Sequence, residues 1–245
     1  MNPKRTMSRI VCLLMLALLL APLTALANSA QPPAIIVLVP NAPDDLVITL
    51  RSADAAPESP WYPTSLRHIA WESYYALYDI GYDLAQWPMM LRVEGGGQSF
   101  ELPIEDTRRY DRIITLDLAQ QTYAGGKLPL RTAALIALRV VLTLLAEGLI
   151  FFALGFRSKR SWWVFIGINL VTQGWLNIAL SAYHAFSYAP IIALIGYELL
   201  IIIAEAIAFP LLVKERGVGR RIAHAFAANA LSLALGWWLI QLLPL

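Results

Sequence analysis

Residues 132–156 read TAALIALRVVLTLLAEGLIFFALGF, an apolar stretch interrupted by only two ionisable side chains, Arg139 and Glu147. A helix of this length, with a rise of about 1.5 Å per residue, spans the hydrocarbon core of a bilayer, which is about 30 Å thick. Three further apolar stretches of similar length follow, at 162–182, 191–213 and 222–243. We therefore predict a bundle of four transmembrane helices in residues 131–245.

The composition of the whole chain agrees with a membrane protein. Of its 245 residues, 58% are hydrophobic and only 15% are charged, which is not typical of a soluble domain. The formal net charge is +2, and the basic residues lie in short loops, so a nucleic-acid-binding protein is excluded. The single cysteine, Cys12, excludes a scaffold built on disulfides.

The first residues have the three parts of a secretory signal peptide. Basic residues occur within 4–9, an apolar run follows at 10–20, and small residues stand at 25–27. We predict that residues 1–27 are a signal peptide cleaved after position 27. An uncleaved anchor helix is the alternative.

The links between the apolar stretches predict the orientation of the protein. Arginine and lysine are concentrated at 157–160 and 214–221, whereas 184–190 contains neither. Short basic loops remain on the cytoplasmic side of a membrane. Together with the signal peptide, this predicts a multi-pass plasma-membrane protein whose residues 28–130 and C-terminus are extracytoplasmic.

Residues 28–130 have the pattern of an all-β domain. Short runs rich in β-branched and aromatic residues occur at 35–39, 47–51, 69–80, 89–94, 100–104 and 113–118. Gly95-Gly96-Gly97 separates two of these runs, as in a hairpin. We predict an antiparallel sheet or sandwich, although the run at 69–80 would also fit a helix. Its many Tyr and Trp residues could pack in the core or form a surface for a ligand or a partner protein.

Each predicted transmembrane helix carries polar residues at helical spacing on one face. The four sets are Arg139, Thr143 and Glu147; Asn169, Gln173 and Asn177; Glu198 and Glu205; and Asn229, Ser232 and Gly236. Ionisable groups inside a span are unfavourable in lipid and often functional. The four polar faces must therefore point towards one another.

Counting the helical rise from the ends of the spans places these residues at two depths. The inner level contains Glu147, Glu205, Asn169 and Asn229, and the outer level contains Arg139, Glu198, Gln173 and Asn177. At the outer level we predict a buried ion pair between Arg139 and Glu198. At the inner level, two carboxylates require either a proton or a hard cation such as Mg²⁺, Ca²⁺ or Na⁺ between them. A purely structural network of protonated Glu and Asn is the alternative.

Three classes of function are compatible with this pattern. The first is a non-enzymatic cell-surface protein whose β domain binds a ligand or protein partner while the bundle anchors it or couples it to another membrane protein. The second is a proton or cation channel or carrier component that uses Glu147 and Glu205. The third is an intramembrane hydrolase, which the sequence favours least because His184 and His224 fall near opposite membrane faces.

Several segments of the chain are similar to one group of proteins. These are ITLDL at 114–118, LTLLAEG at 142–148, GFRSKRSW at 155–162, NLVTQGWLN at 169–177 and NALS at 229–232. They resemble an uncharacterised family of bacterial exported multi-pass membrane proteins, mainly from Firmicutes. The resemblance implies an extracytoplasmic N-terminal domain followed by four transmembrane helices, and it implies no activity. It draws attention to Glu147, Asn169, Gln173, Asn177 and Asn229.

Overall fold

The computed structural model describes residues 34–78, 88–105, 111–187 and 189–245. An N-terminal β domain is followed by four long apolar helices. The predicted fold class is therefore confirmed. The predicted signal peptide, residues 1–27, lies outside the described residues.

The described part of the β domain contains two sheets. Its strands are β1 (Ala34–Pro40), β2 (Val47–Ser52), β3 (Tyr62–Pro63), β4 (Ser65–Ile69), β5 (Glu72–Tyr78), β6 (Met89–Gly95), β7 (Gln98–Ile104), β8 (Asp111–Asp117) and β9 (Thr122–Gly125). The five-stranded sheet has the order β4-β5-β1-β8-β9, and the four-stranded sheet has the order β3-β2-β6-β7. Every neighbouring pair is antiparallel except β1 and β8, which are parallel.

Most of the predicted β runs coincide with strands, but the run at 69–80 does not form a single element. Ile69 ends β4, and the chain turns at Ala70, with a φ of 52°, before β5 begins. The hairpin at Gly95-Gly96-Gly97 is present between β6 and β7. All three glycines have positive φ, a conformation that side chains disfavour. Asp45 accepts a hydrogen bond from the amide of Gly96 at 3.0 Å and so holds the turn.

The two sheets pack face to face around a continuous apolar core. Ile35, Val37 and Val39 of β1 belong to one buried cluster with Ile48 and Leu50 of β2 and with residues of β6 and β8. Every second residue of a strand points to the same face, so the other half of β1 faces away from this core. The β domain is thus a sandwich with a largely antiparallel arrangement.

The second face of the five-stranded sheet packs against the helical domain. Ile36 and Leu38 of β1 share a buried cluster with Ala185, and Phe186 packs against it. Tyr78 meets Phe186 edge-to-face at 5.6 Å between ring centroids. Because β1 is buried on both faces, its sequence is a continuous apolar run without alternation.

The helices are α1 (Pro129–Ala153), α2 (Lys159–Leu180), α3 (Ala189–Leu212) and α4 (Val218–Leu242), close to the predicted spans. Pro129 stands in the first turn of α1. Backbone N–H groups in the first turn have no partner within the helix, so a proline there costs no hydrogen bond. The hydroxyl of Ser158 caps α2 by accepting a hydrogen bond from the amide of Ser161 at 3.1 Å.

The distribution of polar and apolar side chains in the bundle is the reverse of that in a soluble protein. Leu149 is 69% exposed, Ile192 69% and Trp238 67%, whereas Glu147 and Glu205 are fully buried. Lipid is the solvent that suits such a surface. With four helices that are long and apolar enough to cross a bilayer, the chain is a multi-pass membrane protein.

The two ends of the bundle differ in chemistry. The end formed by the links α1–α2 and α3–α4, called the loop end below, carries the basic residues at 157–160 and 214–221. Glu215 joins the two links by accepting hydrogen bonds from the amides of Arg157 and Ser158 at 2.8 and 2.9 Å.

The opposite end, called the domain end, contacts the β domain. Arg67 of β4 donates a hydrogen bond to the carbonyl of Ala185 in the α2–α3 link, and Lys127 donates one to the carbonyl of Ser181 at 2.7 Å. The bundle therefore has the β domain at one end and its basic loops at the other.

Candidate functional site

Three glutamates lie inside the bundle. Glu147 belongs to α1, and Glu198 and Glu205 lie seven residues apart on one face of α3. Glu147 and Glu205 have no exposed surface, and Glu198 is 1% exposed. Glu147 lies close enough to both of the others to be repelled by them if all three are ionised, so the three carboxyl groups form one cluster, called the carboxylate cluster below.

Glu205 is held by donors from two neighbouring helices. The hydroxyl of Thr172 on α2 donates to its Oε1 at 2.9 Å. The side-chain amide of Asn229 on α4 donates to its Oε2 at 2.6 Å. Both carboxyl oxygens of Glu205 therefore have one neutral donor each.

A single chain of hydrogen bonds connects the other two glutamates. The amide of Gln173 on α2 donates to Glu147 Oε1 at 3.2 Å and to Ser232 Oγ at 3.2 Å. The hydroxyl of Ser232 on α4 then donates to Glu198 Oε1 at 3.4 Å. Helices α1 and α3 thus supply the carboxyl groups of the cluster, and α2 and α4 supply the donors that bond to them.

Several buried acceptors in the bundle interior have no donor. Asn169 and Asn229 also donate their side-chain amides to the backbone of their own helices, at 3.0 Å to Phe165 and 2.7 Å to Ala225. Within the described part of the chain, five buried side-chain oxygens there have no hydrogen-bond partner: Glu147 Oε2, Glu198 Oε2, Asn169 Oδ1, Gln173 Oε1 and Asn229 Oδ1. Groups that could satisfy them are protons on the carboxyls or a cation that prefers oxygen ligands.

The structure brings together most of the residues that the polar spacing singled out, but not all in the predicted way. Glu205 and Asn229 are in direct contact, as expected for the inner level. Gln173 contacts Glu147 and so joins the inner level instead of the outer one. Asn177 donates to the backbone of its own helix, at Gln173.

The predicted ion pair between Arg139 and Glu198 is wrong. Arg139 donates to the backbone oxygens of Leu243 and Pro244, beyond the end of α4, and Glu198 bonds to Ser232. An arginine side chain is long enough to reach a depth well away from its own Cα. Depth counted along a helix therefore did not identify the partner of Arg139.

Sequence reasoning missed Thr172. It lies three residues after Asn169 and thus on the same helical face, which is the signal that could have found it. The same hydroxyl is also within donor distance of the backbone carbonyl of Ile168, at 3.2 Å, so the side chain is held in position for Glu205.

A second buried glutamate site lies at the domain end. Glu72 of β5 is fully buried and accepts hydrogen bonds from Arg131 Nε at 2.7 Å and from the hydroxyl of Tyr74 at 2.6 Å. Burial, followed by the neighbouring Glu72 carboxylate, raises the pKa of Tyr74, which keeps its hydroxyl a donor. This ion pair connects the β domain directly to α1.

Lys127 adds another cation to the domain end. Desolvation, followed by repulsion from Arg131 and Arg139, lowers the pKa of Lys127 to about 7. Its ammonium group donates to the backbone carbonyls of Ser181 and Tyr183. Lys127 thus ties the start of α1 to the α2–α3 link.

The β domain has a cleft of about 500 Å³ beside β8 and β9. Its walls are Pro40, Asn41, residues 115–120, residues 122–124 and Leu128. Clefts of this size accommodate small organic ligands. The cleft is well separated in sequence from the carboxylate cluster and next to the start of α1.

Among the described residues, no group of three or more His, Cys, Asp or Glu side chains is arranged to hold a metal ion. A divalent-metal site built from the three glutamates alone therefore does not fit this geometry. Comparisons with protein-family models, with curated proteins and with solved structures found no match.

Proposed function

We propose that the helical domain conducts positive charge across the membrane, as protons or a hard monovalent cation, through the carboxylate cluster. The observation that carries this proposal is the set of five buried oxygens without donors around Glu147, Glu198 and Glu205. Ionisable groups at such depth are costly in lipid and mark ion or proton pathways in membrane proteins.

A purely structural role explains the cluster less well. A network that only joins helices gains stability when each acceptor has a donor, because a buried unsatisfied polar group costs about 1–3 kcal/mol. Here Glu147 and Glu198 each keep one unpartnered oxygen, and the three carboxyl groups would repel one another if all were ionised. Exchangeable protons or a cation would satisfy both features.

We further propose that the protein is an exported plasma-membrane protein with its β domain and C-terminus outside the cell and its loop end in the cytoplasm. The basic residues of the loop end support this orientation because of the positive-inside rule. The signal-peptide pattern at 1–27 supports it independently, and so does the resemblance to exported bacterial membrane proteins.

The first experiment is the thermal stability of the detergent-purified protein across about pH 5 to 9, with and without Na⁺, Mg²⁺ and Ca²⁺. Wild type is compared with Glu147→Gln and Glu205→Gln. Thr143→Val is the matched control, since Thr143 lies one turn from Glu147 but bonds only to backbone carbonyls of its own helix. Stabilisation by one ion, or by low pH, should be lost in both Gln variants and kept in the control.

Vesicle flux gives the functional measurement. Reconstituted wild type should carry protons or the stabilising cation down an imposed gradient, and Glu205→Gln should not. Wild-type vesicles that are as tight as protein-free vesicles to protons, Na⁺, Mg²⁺ and Ca²⁺ would contradict the proposal and leave the cluster a structural network.

A second candidate function is recognition of a small ligand by the β domain, which the cleft beside β8 and β9 favours. Its proximity to α1 and the Glu72–Arg131 ion pair would couple such binding to the bundle. Ligand-detected NMR of the full-length protein with a library of small organic fragments tests it. The comparison variant is Ala124→Trp, in which the larger side chain would fill the cleft. Fragments that bind both proteins equally would argue against the cleft as their site.

A further inference from the structure

A layer of aromatic side chains lies next to the carboxylate cluster on the side of the loop end. Phe151 follows Glu147 by one helical turn on α1, and Phe209 follows Glu205 by one turn on α3. Phe165 of α2 packs on Phe151 with 4.9 Å between ring centroids. All three phenylalanines are buried. This aromatic layer (Phe151, Phe165, Phe209) separates the carboxylate cluster from the basic loops.

His224 of α4 stands in the middle of this layer. Its ring centroid is 4.6 Å from that of Phe209, 4.9 Å from that of Phe151 and 5.7 Å from that of Phe165. The side chain has no exposed surface, and neither ring nitrogen has a hydrogen-bond partner in the part of the chain that the structure describes. A phenylalanine would fill the same space without two unsatisfied nitrogens.

The position of His224 connects two chemically different regions. It precedes Asn229 by five residues on α4, an axial distance of about 7.5 Å at the helical rise. On its other side begins the basic loop end, where Arg221 donates to the backbone oxygens of Pro210 and Val213 at 2.7 and 2.6 Å. His224 is thus the polar group of the aromatic layer.

We infer that His224 relays protons between the loop end and the carboxylate cluster, and that the aromatic layer makes the path selective for protons over metal cations. This role rests on the proposed function of the cluster and narrows its substrate class. Phenylalanine rings offer no oxygen ligands, so a hydrated Na⁺ or Mg²⁺ would lose its ligands at this layer.

The relay needs only water as a co-reactant. A hydronium ion at the loop end donates a proton to the free ring nitrogen of the neutral imidazole, which becomes an imidazolium, and a water molecule remains. The other ring nitrogen then releases its proton, through water, to a free carboxyl oxygen of the cluster. Rotation of the ring restores the starting tautomer, so no atom or charge is left over.

The charged groups on the elements packed around His224 set its electrostatic surroundings. On the cluster side they are Glu147 of α1 and Glu198 and Glu205 of α3. On the loop side they are one acid, Glu215, and seven bases: Arg157, Lys159, Arg160, Lys214, Arg216, Arg220 and Arg221. The cluster-side acids attract an imidazolium, and the loop-side bases, which outnumber Glu215, repel it. A relayed proton is therefore driven towards the carboxylate cluster.

Proton flux into vesicles that contain a pH-sensitive dye, driven by a potassium diffusion potential, tests the relay. The variant is His224→Phe, which keeps the ring shape and removes the proton site. The matched control is His184→Phe, which removes the other buried histidine, 3.4 Å from Asp111 at the domain end. We expect His224→Phe to lower the initial rate at least about tenfold, as for loss of an acid–base group, and His184→Phe to leave it unchanged.

The outcomes separate the relay from the proposed function. If His224→Phe conducts protons like wild type while Glu205→Gln does not, the relay is wrong and the cluster keeps its function. If wild type carries Na⁺ or Mg²⁺ as readily as protons, the aromatic layer is not a selective barrier and the inference is overturned. If wild type carries none of these ions, both proposals fail.

A second measurement covers the case in which His224→Phe does not fold. The ring nitrogens of His224 are observed by ¹⁵N NMR in wild type, with His68→Gln and His184→Gln used for assignment. A ring that exchanges protons or tautomers between about pH 5 and 8 supports the relay. A ring that stays in one neutral tautomer throughout that range overturns it.

Discussion

Two buried glutamate sites in this protein have opposite electrostatic environments. At the domain end, Glu72 is paired with Arg131 and accepts a hydrogen bond from Tyr74. In the carboxylate cluster, Glu147 and Glu205 are equally buried but have only neutral donors. A fully compensated acid holds two parts of the protein together. An acid without a counter-ion has to hold a proton or a cation to remain buried.

Removing the compensated acid should have the largest effect. Glu72→Gln leaves the guanidinium of Arg131 buried without its anion, which should lower the free energy of unfolding by about 3–5 kcal/mol. Chemical denaturation in detergent, followed by tryptophan fluorescence, measures this change. The control is Glu94→Gln, since Glu94 is exposed on β6. Equal stability of the two variants would remove the distinction between the sites.

The cation at the domain end should produce the next largest effect. Because the pKa of Lys127 is lowered to about 7 in the folded protein, below its usual 10.5, the folded state binds fewer protons between these values. Its destabilising contribution is complete below pH 7 and disappears as the pH rises towards 10.5.

Wild type should therefore gain stability relative to Lys127→Met over this pH window, by about 1–3 kcal/mol after allowance for partial exposure. Thermal unfolding of the two proteins at a series of pH values checks it. Parallel pH profiles would mean that Lys127 keeps its charge without penalty.

Neutralising an uncompensated acid should have a small effect of the opposite sign. Glu147→Gln keeps an oxygen for the amide of Gln173 and removes the repulsion from Glu198 and Glu205. We expect stability within about 1 kcal/mol of wild type or above it, together with loss of ion flux. A destabilisation as large as that of Glu72→Gln would place Glu147 among the structural acids.

A half-buried acid at the loop end, Glu215, should have the smallest effect. Desolvation raises the pKa of Glu215, but hydrogen bonds from the amides of Arg157 and Ser158 and from the hydroxyls of Ser161 and Ser158 together outweigh it and lower the pKa to about 2. The ordinary pKa of a glutamate is 4.5. The stability that this contact provides should therefore be complete above pH 4.5 and should be lost as the pH falls towards 2. Glu215→Gln should abolish this acid dependence, and its change in stability should be the smallest among the four substitutions. Thermal unfolding of wild type and variant at pH 3 and 6 measures both effects.

The sequence predicted which residues form the candidate site better than it predicted the contacts between them. Helical spacing located Glu147, Glu205 and Asn229 on inward faces because lipid forces polar faces together. The spacing could not show that Gln173 reaches Glu147, nor that Arg139 turns away from Glu198. Those contacts depend on the tilt and rotation of each helix and on side-chain length, which a one-dimensional count does not contain.

In the β domain too, the sequence predicted the elements but not all of the pairings between them. The runs that became β1, β2, β6, β7 and β8 were visible from their composition, and so was the glycine hairpin. The parallel pairing of β1 with β8, with Ile36 opposite Ile113, was not, because those strands are distant in sequence. Short strands such as β3 carry too few residues for a pattern.

The sequence by itself determined the number of spans, the position of the basic loops and the inward polar faces, because hydropathy and helical rise act locally along the chain. Only the tertiary structure decided which acids have a counter-ion. Glu72 meets Arg131 across the domain boundary, whereas the acids of the bundle meet one another and, in the described residues, no cation. The physical reason is that electrostatic energy depends on distances between side chains of different elements, and packing sets those distances.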